Sequence, residues 1–173
     1  MKVLMISGTY NRQSRTWLLL DEARKHCDTY DIQTEIVELC DYAITVGQKD
    51  TSHDISELVE KINQSEAVIF STPNYQGSIS GLLKVAIDHI PERGLKNKAV
   101  GLISVSGGIG NISQPLSHLR DIVSSLEGLA VATNIACYSE DFMRDEEGKN
   151  IISNDKILAR LQDMVEELYC HTK

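Results

Sequence analysis

The chain has 173 residues, of which 42% are hydrophobic and 24% charged, a composition typical of one soluble globular domain. Its formal net charge of −8 argues against nucleic-acid partners, because phosphate-backbone binding needs a basic surface. A run of about 18 apolar residues is absent, and the apolar segment after Lys2 is too short for a signal peptide, so we expect a cytoplasmic protein without membrane partners.

Strand and helix patterns alternate along the chain. Five segments carry apolar runs or alternations typical of strands, namely 2–7, 32–39, 66–71, 99–105 and 129–137. Five segments carry the helical period, namely 14–27, 56–62, 80–90, 116–126 and 155–169. We expect the second helix to be capped near Ser52 or Asp54, the fourth to stop at Gly128, and Trp17 to lie in the core.

This alternation predicts an α/β fold in a single domain, residues 1–173. Continuous apolar runs indicate strands buried on both faces, and the alternating segment 32–39 indicates an edge strand. The expected architecture is a flavodoxin-like three-layer sandwich, with a five-stranded parallel sheet of order 2-1-3-4-5 and helices on both faces. Segments 40–52 and 139–152, including the acidic run 141–147, are expected to be surface loops, with lids or subunit contacts as the alternative.

In this topology the loops after strands 1, 3 and 4 lie at one edge of the sheet, where ligands bind. The first loop, within ISGTYNRQSRT (residues 6–16), leads directly into a helix whose N-terminus attracts anions. Its candidate anion-binding residues are Gly8, Thr9, Asn11, Arg12, Ser14, Arg15 and Thr16. The alternative is a polar turn capped by Asn11 or Ser14.

The second and third loops are suited to a planar group. In STPNYQGSISG (residues 71–81), peptide N–H groups around Asn74 to Gly77 could face the polar edge of a flat ring, and Tyr75 could lie against it. The candidates in this loop are Pro73, Asn74, Tyr75, Gln76 and Gly77; the alternative is a turn followed by a helix cap at Ser78 or Ser80. In SVSGGIGN (residues 104–111) the candidates are Ser106, Gly107 and Gly108, with Gly110 as a third glycine.

These motifs resemble those of the NADPH-dependent FMN reductase family, over about residues 1–135. The most specific part is TPNYQGSISGLLKVAIDHI (residues 72–90), which is similar to the family pattern T-P-x-Y-x-x-S-x-x-G-x-L-K-x-x-x-D. The first loop resembles the family's G-S-x-R-x-x-S phosphate loop, with Thr9 in place of the usual serine and Asn11 in place of the usual arginine. Arg12 or Arg15 would then supply the basic phosphate ligand.

The resemblance implies FMN and NADPH as cofactors, with hydride transfer from NADPH to the flavin. Reduced flavin would pass electrons to a quinone, an azo dye, a metal oxyanion, oxygen or a partner monooxygenase. The resemblance also implies a homodimer or homotetramer, with residues 80–90 near the interface. Two alternatives are a non-enzymatic electron carrier like flavodoxin and a flavin-binding redox sensor. No metal is expected, because Cys27, Cys40, Cys137 and Cys170 form no cluster and are interpreted as free thiols.

Overall fold

The computed structural model describes residues 1–46, 53–108 and 112–173, so the possible cap Ser52 and the glycine Gly110 lie outside the described residues. The strands in these ranges are β1 (Lys2–Ser7), β2 (Gln33–Glu38), β3 (Ala67–Pro73), β4 (Ala99–Ser106), β5 (Leu129–Tyr138), β6 (Phe142–Arg144) and β7 (Asn150–Ile152). The helices there are α1 (Arg15–Asp28), α2 (His53–Gln64), α3 (Gly81–Asp88), α4 (Gln114–Ser125) and α5 (Asp155–His171). All ten predicted strands and helices are therefore present, with their ends moved by up to three residues.

Five of the described strands form one parallel sheet of order β2-β1-β3-β4-β5, which confirms the predicted topology and the edge position of β2. The register pairs Ser7 with Ser71, Thr72 with Ser104, and Ser106 with Tyr138. The carboxyl ends of β1, β3 and β4 consequently lie at the same edge of the sheet. The three loops selected from the sequence leave the sheet at this edge.

Two apolar clusters cover the two faces of the sheet. Neighbouring residues of β1 divide between them: Val3 and Met5 face α1 and α5, whereas Leu4 and Ile6 face α2, α3 and α4. This division is the physical reason why the β1 sequence is apolar without interruption. Trp17 was predicted to be a core residue, but it is only partly buried and belongs to neither cluster.

The end of α4 differs from the prediction. The left-handed residue there is Glu127, with φ of 59°, and its carboxylate accepts a 2.9 Å contact from Arg93 Nε. A Cβ atom on Gly128 would lie 2.9 Å from both Leu95 Cβ and Val123 Cγ1. Gly128 is thus required by close packing against its neighbours and not by the conformation of a helix cap.

Segment 139–152 is not an irregular loop. It begins with a 3₁₀ turn, Ser139–Asp141, and continues as the antiparallel hairpin β6–β7, whose Phe142 side chain packs in the core. The Asp141 carboxylate accepts from Tyr138 N at 2.7 Å and from Asn154 Nδ2 at 2.6 Å. The acidic run therefore includes a carboxylate that holds the hairpin in place. The shorter segment before α2 also contains a 3₁₀ turn, Leu39–Asp41.

The predicted cap Asp54 lies inside the first turn of α2, and its Oδ2 atom accepts from Ala43 N at 2.7 Å. Its carboxylate therefore ties the preceding segment to the helix. Among the described helices, none combines the length and the apolar character needed to cross a bilayer.

The four cysteines are free thiols and differ in accessibility. Burial raises the pKa of the Cys27 thiol to about 12 and that of Cys137 to about 12. Thiolates are the reactive species, so we expect iodoacetamide at mildly alkaline pH to modify exposed Cys170 first, partly buried Cys40 slowly, and the other two only after unfolding. Peptide mass spectrometry over time would measure the order. Modification of Cys27 at the rate of Cys170 in the folded protein would contradict it.

Candidate flavin site

A cavity of about 440 Å³ opens at the carboxyl edge of the sheet, between the three loops. We call it the sheet-edge cavity. Ten of the fifteen residues selected from the sequence line it, namely Thr9, Asn11, Ser14, Arg15, Thr16, Pro73, Asn74, Tyr75, Ser106 and Gly107. The other five, namely Gly8, Arg12, Gln76, Gly77 and Gly108, do not line it.

The first loop directs hydroxyl groups and the N-terminus of α1 toward the cavity. Ser14, not Asn11, caps the helix, since its Oγ atom accepts from Trp17 N at 3.1 Å. Ser14 Oγ also lies 2.7 Å from Thr16 Oγ1. The buried Thr9 side chain accepts from Asn11 N at 3.3 Å. The loop therefore combines three hydroxyl groups with the positive end of a 14-residue helix, an arrangement suited to an anion.

The two arginines of the first loop have different positions. Arg12 forms an ion pair with Asp41 and does not line the sheet-edge cavity. Arg12 also lies near Glu38, at the end of β2. Burial raises the pKa of the Glu38 carboxyl, whereas the positive charge of Arg12 acts to lower it. Arg15 lines the cavity instead, and its Nη1 atom donates to Ser139 Oγ at 2.7 Å. Of the two candidates for the basic phosphate ligand, the geometry favours Arg15.

The position of Arg15 depends on the segment that follows β5. The Arg15 guanidinium lies 5.4 Å from the centre of the Phe142 ring, and Ser139 Oγ donates to the carbonyl of Gly107 at 3.0 Å. Arg15, Ser139 and Gly107 thus connect the first loop to the third. Within the described chain, no carboxylate forms an ion pair with Arg15, so its charge remains available to a ligand.

The second loop is a two-residue hairpin turn. Tyr75 and Ser78 exchange two backbone hydrogen bonds of 3.0 Å, and Gln76 and Gly77 have φ of 52° and 78°, as in a type I′ turn. Gly77 N donates to Asn74 Oδ1 at 3.0 Å, and Asn74 N donates to the carbonyl of Val105 at 2.8 Å.

These bonds correct one expectation. The four backbone N–H groups from Asn74 to Gly77 are predicted to face a flat ring. Three of them donate hydrogen bonds within the protein, so among the amides described in this turn only that of Gln76 remains to face a ring. The Tyr75 side chain lines the cavity and is 51% exposed, so it remains available to contact a ring.

Ser80 joins the second loop to the first. Its hydroxyl caps α3 by accepting from Leu83 N at 3.1 Å and donates to the carbonyl of Gly8 at 2.5 Å. Gly8 therefore packs against the start of α3 and does not line the cavity. Ser78, the alternative cap, instead contacts His118 Nδ1 at 2.9 Å through its hydroxyl.

The third loop provides open space. Ser106 Oγ donates to the carbonyl of Gly108 at 3.0 Å, which bends the chain after β4. A Cβ atom on Gly107 or Gly108 would meet no atom of the described residues within 4 Å. The glycines are therefore not required by packing in this structure, and the space beside them is open to a ligand.

Four lining residues were not selected from the sequence: Gln13, Val105, Arg144 and Asn150. Arg144 and Asn150 belong to the hairpin β6–β7, which the sequence did not indicate as part of the site. The available signal was Arg144 itself, the one basic residue within the acidic run 141–147. Its strand has only three residues, which is too short for the sequence to show a strand pattern.

The charge of the cavity contrasts with that of the protein. The chain carries −8, yet the described lining contains Arg15 and Arg144 and neither a carboxylate nor a histidine. Two guanidinium groups, three hydroxyls and a helix N-terminus fit the phosphate of FMN, and Tyr75 beside open glycine backbone fits its ring. Among the described residues, no group of three His, Cys, Asp or Glu side chains is placed to hold a metal ion.

Comparison with known proteins finds relatives that are similar in sequence and solved structures that are similar in fold. The family model described as NADPH-dependent FMN reductase matches residues 1–141. The FMN-dependent NADPH-azoreductase of Staphylococcus aureus (strain USA300) is 38% identical over 176 residues, covering 97% of this chain and 93% of that protein. Among solved structures, an NADH:FMN oxidoreductase in its apo form has a TM-score of 0.80 at 20% identity, covering 98% of this chain and 88% of that one.

The flavoenzyme NAD(P)H:(acceptor) oxidoreductase of Paracoccus denitrificans has a TM-score of 0.77 at 18% identity and covers 98% of both chains. At such low identities, the two structural likenesses support the flavodoxin-like fold alone. The family match covers most of the chain and includes all three loops of the sheet-edge cavity. The chain therefore belongs to the NADPH-dependent FMN reductase family, and it is an oxidoreductase that uses FMN and NADPH.

Proposed function

We propose that this enzyme binds FMN in the sheet-edge cavity and reduces a small-molecule acceptor with electrons from NADPH, an azo compound being the favoured acceptor. The carboxylate-free lining with Arg15 at the N-terminus of α1 is the observation that carries the assignment of the cavity. The azo acceptor is suggested by the relative named as an FMN-dependent NADPH-azoreductase. Quinones, metal oxyanions, oxygen and a partner monooxygenase are the other acceptors to be tested.

The first loop would hold the phosphate. Arg15 would donate charge-assisted hydrogen bonds, while the Ser14 and Thr16 hydroxyls and the free amides of the first turn of α1 would complete the shell. Ser139 keeps the Arg15 side chain on the cavity side of the helix, which reduces the entropy lost on binding. Arg144 would add a second positive charge from the hairpin.

The second and third loops would orient the ring. Tyr75 lines the cavity and belongs to a turn that two backbone hydrogen bonds with Ser78 close. These bonds fix the backbone from which the Tyr75 side chain extends. When bound, the flavin supplies the redox chemistry, accepting a hydride from NADPH and passing electrons to the acceptor. The described lining offers no carboxylate or imidazole for general acid–base catalysis, so the protein's contribution is binding, orientation and electrostatics.

The domain organisation, the oligomeric state and the cellular location are also part of the proposal. We propose that residues 1–173 form one domain that assembles as a homodimer or homotetramer through the α3 surface. A groove between α3 and α4, lined by Ile79, Lys84, His118 and Ile122, supports an interface there. A cytoplasmic location is supported by the four unpaired thiols, which are typical of a reducing compartment.

The test is NADPH oxidation by the purified protein, with FMN titrated and an azo dye as acceptor, measured without oxygen; the other acceptors are then tried one by one, with oxygen admitted only where it is itself the acceptor or the partner monooxygenase needs it. We expect oxidation that requires FMN, saturates with it and bleaches the dye. Riboflavin, which lacks the phosphate, is the matched control and should bind more weakly. Binding of FMN, seen as quenching of its fluorescence, without NADPH oxidation in the presence of any of the acceptors would contradict the enzymatic proposal and favour a carrier or a sensor.

A further inference from the structure

A second cavity, of about 670 Å³, lies between α1 and the hairpin β6–β7. We call it the hairpin cavity. Its α1 wall includes Trp17 and Leu18, and its hairpin wall includes Arg144, Glu147 and Lys149. It shares Asn11, Gln13, Ser14, Arg144 and Asn150 with the sheet-edge cavity, so the two cavities are neighbours. A molecule longer than FMN could occupy both.

The hairpin cavity is basic despite the acidic sequence around it. Three cations, Arg12, Arg144 and Lys149, line it together with one carboxylate, that of Glu147. Arg12 is already paired with Asp41, which lies outside the lining, so Arg144 and Lys149 carry the charge available to a ligand. Lys149 Nζ lies 2.7 Å from Glu147 Oε2, but both side chains are more than 70% exposed, so this ion pair is weak and easily rearranged. The Arg144 guanidinium contacts only the carbonyl of Gly148, at 3.3 Å, among the groups described, and it pairs with no carboxylate there.

The cavity also has an aromatic wall. Trp17 is partly buried, is absent from both core clusters and lines this space, so its indole is available to a flat ligand. An indole face next to several cations suits a purine nucleotide, since the base can stack while the phosphates meet the basic groups. The residues beyond 141 that complete the cavity lie outside the matched part of the family model.

We propose that the hairpin cavity binds the adenosine 2′-phosphate end of NADPH, with Trp17 against the adenine and Lys149 toward the 2′-phosphate, while Arg144 lies on the wall shared with the sheet-edge cavity. The inference rests on the proposed function, because the nicotinamide end must reach the flavin in the sheet-edge cavity. Exposed Lys149 provides the charge that distinguishes a 2′-phosphate from the 2′-hydroxyl of NADH, and Glu147 opposes it.

Trp17 makes the test direct, since it is the one tryptophan among the 173 residues. The protein without FMN is titrated with adenosine 2′,5′-bisphosphate and with adenosine 5′-monophosphate while the tryptophan fluorescence is followed. We expect a saturable change with both and a dissociation constant about tenfold lower for the bisphosphate, the effect of one charge-assisted hydrogen bond. No change with either nucleotide, equal affinities, or the same change with inorganic phosphate alone would overturn the proposal.

Two variants give opposite expectations. Lys149→Ala should remove most of the preference for the bisphosphate and raise KM for NADPH more than for NADH, whereas Glu147→Gln should increase the preference. Lys156→Ala, an equal loss of charge at the start of α5 outside the cavity, should change neither. Variants that all behave alike would overturn the assignment.

Adding FMN separates this inference from the proposed function. If saturating FMN blocks the bisphosphate titration, the cavity belongs to FMN and the inference fails. If NADPH is oxidised in the FMN-dependent assay while Trp17 reports no nucleotide, only the inference fails. If the nucleotide binds but no acceptor supports NADPH oxidation, the binding site stands and the enzymatic proposal fails.

Discussion

Replacing Arg15 with alanine is expected to raise the dissociation constant for FMN by about 10- to 100-fold, because a charge-assisted hydrogen bond contributes about 1.5–3 kcal/mol. Arg15 is the first-loop arginine that lines the sheet-edge cavity, and no described carboxylate neutralises it. We do not expect Arg12 to replace it, since Arg12 does not line this cavity and is paired with Asp41. Quenching of FMN fluorescence during a protein titration measures the change directly and requires no turnover.

Arg24→Ala is the matched control for this prediction. Arg24 lies on the same helix and pairs with Asp21 at 2.7 Å, away from the cavity, so its loss should leave FMN affinity unchanged. Riboflavin affinity should be the same in Arg15→Ala and in the unmodified protein, since there is no phosphate to lose. An equal loss of affinity for riboflavin would show that Arg15 supports the cavity's shape instead of binding the phosphate.

The Ser139→Ala variant tests how Arg15 is positioned. Without the 2.7 Å bond from Arg15 Nη1 to Ser139 Oγ, the guanidinium keeps its charge but gains freedom. We expect FMN affinity to fall about two- to tenfold, less than for loss of the arginine itself. The double variant should be close to Arg15→Ala alone, because the effect of Ser139 on the phosphate passes through Arg15. A clearly larger loss in the double variant would show that the Ser139 bond to the Gly107 carbonyl also shapes the cavity.

Replacing Gly8 with alanine is expected to lower the free energy of unfolding by about 1–3 kcal/mol, the usual cost of overpacking a close contact. The added Cβ atom would lie 2.7 Å from Leu83 Cβ and 3.0 Å from the carbonyl oxygen of Ser71. Neither atom can move alone, because the first is fixed to the backbone of α3 and the second belongs to β3. Gly8 N also donates to that oxygen at 2.8 Å, so the first loop cannot lift without breaking a bond.

Urea unfolding followed by circular dichroism measures this loss. Gly81→Ala is the control, since a Cβ atom there would meet none of the described atoms within 4 Å. We expect Gly81→Ala to be neutral or to stabilise the protein by about 0.5 kcal/mol through the unfolded chain's lower entropy. If the two variants were equally stable, the close contact at Gly8 would not constrain the first loop.

The sheet order was predictable because its signals are local and repeated. Uninterrupted apolar runs such as that of β1 indicate burial on both faces, and the alternation in β2 indicates an edge. A parallel sheet with right-handed connections then brings the loops after β1, β3 and β4 together. Ten of the fifteen selected residues consequently line one cavity.

What the sequence by itself determined was therefore the fold, the family and the edge of the sheet where the cavity opens, since each follows from periodic patterns and short contiguous motifs. Tertiary structure alone decided that Arg15 and not Arg12 faces the cavity, because the decisive partners, Ser139 and Asp41, are 124 and 29 residues away in the chain. It also decided that the hairpin carrying Arg144 lines the cavity and that Gly128 is required by packing. Contacts between distant segments follow no periodic pattern in the sequence, so only the folded structure shows them.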